Sequence, residues 1–532
     1  MTSVDLSAIL QDIVSHLYQR PCLGMLALLV VLLSHPSVQA QTQQPPPAGG
    51  SPTYGIVCDG VTQTSAQIQQ AINSLPPAAK LVLPQGYCIL NTTLTITKSF
   101  ALQGAGMNQT VLRQTVPSIP VLTISAVDVH IEGLTVDHTG TPVSGGDGII
   151  VEGAPPGTGL NAVTLFDVKA TYNWRGFVLG CVAYSQAAHL WGDSNNSHGF
   201  EFIYDAGCGS AQWDIVLAIA QLNKGAGFKG ANTAASNGIG PWLTQSQTFA
   251  NDAGGYVFVG TASTPINDLR LQGVLSSADN QHGIFLDTYG TSHTIANPWI
   301  ELTGRSNGYP LGPDHAPSVP SQTGDCLTLT ANNLPGVQIT GGFYWNCAWS
   351  GVALNAPYSG LTGGTSLGNG TALDSTLARR AGVHIGATGV MLSGHVFLYG
   401  NAPATLHYVH LGGALDTVAV GHNSYQPGLA ADQLISGAEL TGAVTTFPIS
   451  WPNRLGQVTL NGTDTTATVT LAPVEPDSTY FVQLTPVTSS AAPALGAFTI
   501  TGVAKTVDSF TVTVSAAPGG TETVTYDWFV YR

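Results

Sequence analysis

The chain has 532 residues and only 8% charged side chains, with 15 Lys and Arg against 30 Asp and Glu and a net charge of −15, where an average soluble domain carries about a quarter charged residues. No basic cluster exceeds Arg379-Arg380, so nucleic acid is not an expected partner and strongly anionic polymers are disfavoured. The abundance of Gly, 63 in all, with many Thr, Ser and Asn, describes a β-rich, turn-rich chain wetted by hydroxyls and amides.

In chain order, the apolar run "CLGMLALLVVLLS" at 22–34 follows Arg20 and precedes "SVQAQ". It is short for a membrane span and reads as a secretory signal over 1–40, with an uncleaved anchor as the alternative. Residues 41–53 form a Pro/Gln-rich linker. Beyond Cys22, six cysteines fall into neighbours, Cys58 and Cys88, Cys181 and Cys208, Cys326 and Cys347. An even set in an exported chain favours disulfides, with local pairing one of fifteen connectivities. No Cys-His spacing suits zinc, and no metal or cofactor is expected.

Next, Ile68, Ala71, Ile72 and Leu75 share one face of a predicted helix that Thr64 or Ser65 can cap. The strand "LVLPQGYCIL" follows. From Gly148 a repeat begins, with glycines in register at 148, 176, 199, 227, 255 and 283, spaced by 28, 23, 28, 28 and 28. After each comes Ile149, Phe177, Phe200, Phe228, Tyr256 or Ile284, and two positions on Val151, Leu179, Phe202, Gly230, Phe258 or Leu286. Period two places both on one buried face of a strand. Units of this length without helices predict an all-β fold, a right-handed parallel β-helix over 54–450 capped by the N-terminal helix, with weaker units at Gly324, Gly351 and Gly382.

Four residues before the aligned glycine stand Asn195, Asn223, Asn251 and Asp279, and three before it Asn173, Asn196, Lys224, Asp252 and Asn280. Stacked amides in a tight turn predict an asparagine ladder ending at Asp279. Asp252 and Asp279, on adjacent coils about 5 Å apart, are also close enough for one to raise the other's pKa. "GRSNGYPLGPDHAPSVPSQTG" and "NAPYSGLTGGTSLGNGTALDSTLARRAG" read as loops able to wall a groove. From 455 to 532, five short alternating segments predict a small antiparallel β-sandwich.

The helix followed by "LVLPQGYCIL" resembles the opening of the pectate-lyase-like superfamily of right-handed β-helix proteins, which includes glycan lyases, polygalacturonases and phage tailspike depolymerases. The "YDWFVYR" ending resembles modules that follow β-helices in tailspike-like proteins. The resemblance implies a polysaccharide or cell-surface glycan as partner, and a homotrimer. Its catalytic signatures do not carry over: the chain has no Asp-Asp, Gly-His-Gly or Arg-x-Lys.

Glycoside hydrolysis needs two carboxyls, about 5 Å apart for retention or about 6.5 to 9.5 Å for inversion, separations that outward side chains on neighbouring coils supply. Asp193, Glu201, Asp205, Asp252, Asp279 and Asp287 are the catalytic candidates, with Glu301 a further acid. His198, near Asp193 and Asp205, is a possible acid or base, and His282 occupies the same position three coils on. Glu201 can instead pair with Lys229, and Asp252 with Lys224. Trp191, Trp299, Trp345 and Arg305 are candidate substrate contacts. A lyase would need a base and a uronate neutraliser, often calcium, roles that Arg175, Arg270 or Arg305 could serve. The reading is a secreted polysaccharide-degrading protein, a glycosidase before a lyase; the alternative is a non-catalytic glycan-binding adhesin.

Overall fold

The computed structural model describes residues 54–151, 160–180, 182–204, 212–232, 238–304, 323–333, 336–370, 381–398, 407–412, 415, 418–421, 423–425, 435–437, 454–470, 481–489, 500–506, 509–518 and 521–531. The leader, the linker, Cys181, Asp205, Cys208, Arg305, Arg379 and Arg380 lie outside the described residues.

Parallel strands stack coil on coil from Asp59–Gln63 to Ile435–Gly437 in a right-handed β-helix. A 13-stranded sheet forms one side, here face A, and a 24-stranded sheet bends once per coil to form the other two, faces B and C. One coil runs through Phe200–Tyr204 on face A, Trp213–Val216 on face B and Ile219–Gln221 on face C, and returns to face A at Phe228–Asn232. Leu217 and Leu222 turn the corners on either side of face C with φ of 57° each. This left-handed conformation is costly for a side chain but recurs at the same corner in successive coils, for example at Gln245 and Ala250.

The glycine repeat sets the register. Ile149, Phe177, Phe200, Phe228, Tyr256 and Ile284 are successive partners on face A, and all are buried. Inside the coil, the Phe177, Phe200 and Phe228 rings stack at 4.7 and 4.6 Å between centroids. Gly351 and Gly382 continue the register, but Gly324 does not: Ile284 pairs with Leu327, so Cys326 occupies the glycine position. The reason is spatial. A Cβ on Gly199 would come within 2.9 Å of Asn223 Nδ2 and of the Gly227 carbonyl oxygen, whereas the residue one coil on from Cys326 at that position is Cys347, to which it is bonded. Gly199→Ala should therefore cost about 1–3 kcal/mol of stability, read as a lower midpoint in urea unfolding.

The second disulfide joins Cys58 to Cys88. Helix Ser65–Ser74 buries Ile68, Ala71 and Ile72 in the core of the first coils. Its hydroxyls do not cap it as expected. Thr64 donates to the Ile89 carbonyl and Ser65 to Asn91 Oδ1, tying the helix to the first coil. The predicted loop from Asn355 holds two ordinary coil strands, Gly360–Thr362 and Thr365–Leu367. Each sends one residue inward, Leu361 or Ser366, too few for an apolar alternation to show.

The C-terminal segment forms two three-stranded antiparallel sheets around a separate core with Leu460, Phe510, Val512 and Tyr526. The first expected segment divides at a turn into Arg454–Asn461 and Thr466–Thr470. Among the described residues no helix is long and apolar enough to cross a membrane.

Candidate functional site

The ladder forms as read, with one change. Asn195, Asn223, Asn251 and Asp279 take successive rungs, and Asn173 joins them: each backbone N–H donates to the side-chain oxygen one coil on, at 3.0, 3.0, 3.2 and 2.9 Å from Asn173 to Asn251. Asp279 is fully buried at the end. Its carboxylate accepts from Asn251, Thr248 and Ser276. Burial raises its pKa above the usual value, against the pull of those donors. Asp252 belongs to the neighbouring position, where its N–H donates to the Asn223 carbonyl; its pKa is raised by burial and lowered by Lys224.

The folded chain thus holds the Asp279 proton to higher pH than the unfolded chain does. The stability it lends in acid is lost as pH rises from the unfolded value of about 3.9 through the raised folded value. Asp279→Asn keeps the ladder acceptor and removes the titration. Urea midpoints of variant and native chain are expected to move apart in the variant's favour across that window. Parallel curves would deny the ionisation a role.

The charged candidates on face A neutralise one another. Arg175 bonds Asp147 at 2.8 Å and Glu201 at 2.5 Å, and Lys229, the register partner of Glu201, lies 3.6 Å from it. Burial would raise Glu201, but Arg175 holds it below its usual value. His198 Nδ1 accepts the Ala226 N–H and Nε2 faces Lys229 Nζ at 3.1 Å. Burial and the facing ammonium lower this imidazole to about 4. Asp193 bonds Lys169 instead, on face C, so His198 and Asp193 work on different faces. His282 bonds Thr328 and the Asp325 N–H, and Asp287 accepts from Thr330 and Asn332. On face B, Arg270 bonds Asp268 and lies 3.9 Å over Trp242. Among the described residues, no three His, Cys, Asp or Glu gather to hold a metal ion.

Face C brings the remaining candidates together. One outward column reads Thr135, Lys169, Trp191, Ile219, Gln247, Leu275, Trp299, Phe343. The column beside it reads Arg113, Asp137, Thr171, Asp193, Gln221, Phe249, Ser277, Glu301, Trp345. Trp191, Trp299 and Trp345 thus line one strip. Asp137, absent from the sequence candidates, stands two coils from Asp193 with Thr171 between, roughly 9 to 10 Å by strand spacing. Arg113 bonds Asp137 through Nη2 at 2.5 Å and Nε at 3.0 Å. Burial nonetheless raises the Asp137 carboxyl. Asp193 accepts from Lys169 at 2.8 Å and Ser194 at 2.9 Å. The Thr171 hydroxyl and the Trp191 indole N–H are buried with no hydrogen-bond partner among the described residues, although a buried polar group normally has one.

No protein-family model and no curated protein matches the chain. Solved structures do match. The pre-mature bacteriophage phi29 gene product 12 is 14% identical over 71% of this chain and 52% of its own, with a TM-score of 0.50. The A-module of the Azotobacter vinelandii mannuronan C-5 epimerase AlgE4 is 14% identical over 74% and 98%, at 0.49. DFA-IIIase from Arthrobacter chlorophenolicus A6 without its lid is 12% identical over 73% and 95%, at 0.45. At such identities the likeness is one of fold. The fold they share with this chain is the right-handed parallel β-helix.

Proposed function

We propose that the protein binds an extended, weakly charged polysaccharide along face C and hydrolyses it with inversion at Asp137 and Asp193. The observation that supports this reading is the convergence of the aromatic column and the acid pair on one outward strip. Two carboxyls separated by more than one strand spacing leave room for a water between sugar and base, the arrangement inversion requires. Their surroundings divide the roles. Asp137, raised by burial, is the general acid for the leaving oxygen; Asp193, ion-paired with Lys169, is the base for water. Thr171 lies between them, and Trp191 offers the face of its ring to the adjoining sugar.

The test is incubation of the secreted chain with a panel of neutral and acidic polysaccharides, following reducing ends and unsaturated-product absorbance together. Reducing ends without absorbance support the reading. Both rising would replace hydrolysis by lyase chemistry. Binding without either product would leave a glycan-binding adhesin, the second reading.

A further inference from the structure

Far from the acid pair, face C carries a third carboxylate. Glu301 accepts from Ser277 Oγ at 3.0 Å and from Trp299 Nε1 at 2.9 Å, and among the described residues it has no ion-pair partner. Trp345 is its register partner on the next coil, and Phe343 is that of Trp299. The Trp299 and Phe343 rings lie 4.9 Å apart between centroids. All four side chains are partly open to solvent. We propose that Trp299, Glu301, Phe343 and Trp345 form a subsite for a protonated amine, which makes the polymer bound along face C an amino-sugar glycan with free amines.

The inference rests on face C being the glycan strip. Arg113 and Lys169 are bonded to Asp137 and Asp193, coils away from Glu301. Between Asp193 and Glu301 the two outward columns hold Ile219, Gln221, Gln247, Phe249, Leu275 and Ser277, all uncharged. Among the described residues of these columns, Glu301 is thus the carboxylate with no cation beside it. A polyanion would be repelled by it, and a neutral sugar would leave it without a counter-charge. An ammonium gains both the carboxylate and the aromatic quadrupoles around it. The net charge of −15 draws a cationic polymer to the surface as well.

Tryptophan fluorescence and calorimetric titrations would compare glucosamine oligomers with N-acetylated oligomers of equal length, at about pH 5.5 where the amine is protonated, with glucosamine itself as a monomeric probe. The amine oligomers should bind about tenfold more tightly. That preference should disappear in Glu301→Gln, which retains an acceptor for Ser277 and Trp299, and shrink in Trp345→Ala and in salt. Equal binding of the two oligomers, or a preference that survives both substitutions, overturns the subsite. If acetylated oligomers bind and Trp191→Ala weakens them without any amine preference, the strip stands and the subsite falls. If only the monomeric amine binds, dependent on Glu301, the subsite stands and the strip falls. No binding of any probe removes both.

Discussion

Asp193→Asn is expected to lower the rate of glycosidic cleavage by roughly 10³-fold, and Asp137→Asn by roughly 10² to 10³-fold, within the range that general acid and base groups contribute. The two losses should differ in pH dependence. A base must be ionised and an acid protonated, so residual activity in Asp193→Asn loses the acidic limb of the pH profile, and in Asp137→Asn the alkaline limb. Each carboxylate also holds a cation, Lys169 or Arg113, and the unfolding midpoint of each variant separates lost chemistry from lost packing. Asp193 is the more decisive of the two, because its partners Lys169, Ser194 and Gln221 can all donate to an amide oxygen. Full activity in a folded Asp193→Asn chain would end the inverting assignment.

The β-helix was legible because stacking repeats one sequence feature per coil. The glycine register, the inward aromatics and the ladder from Asn195 to Asp279 all follow from side chains meeting their own equivalents one rise away. The strip on face C was legible only in part. Trp191, Trp299 and Trp345 could be named as ring donors, but their common face depends on coil lengths that vary between Trp191 and Trp345. Asp137 was missed because its coil precedes the glycine register; its strand, Val129–His138, turns from one face to the next at the single Gly133, with φ of 64°, outside the aligned glycine series. Glu201 and His198 read as possible chemistry in the sequence, with a Glu201–Lys229 pair as the alternative, and the register makes that pair and sets His198 against Lys229. Asp205 and Arg305 lie outside the described residues.

The Cys326–Cys347 disulfide should prove to be a replacement for one rung of the ladder. In regular coils the aligned glycine packs against the ladder asparagine one coil on, as Gly199 does against Asn223 and Gly351 against Asn369. Cys326 occupies the glycine position and Cys347 the ladder position, where its N–H donates to Asn369 Oδ1 at 3.0 Å. The bond closes a separation of 21 residues, and removing it with Cys326→Ala and Cys347→Ala should cost about 3 kcal/mol. Cys326→Gly with Cys347→Asn should recover at least half of that loss. The new amide could donate to Asn369 Oδ1, as Asn195 donates to Asn223, while its oxygen faces the Thr303 turn, whose buried hydroxyl has no partner among the described residues. Urea unfolding of native, alanine and glycine-asparagine chains, with and without reductant, decides the matter. The glycine-asparagine chain should be indifferent to reductant and more stable than the alanine chain. If it is no more stable, stacking of amides is not what the disulfide replaces, and the bond acts through loop closure alone.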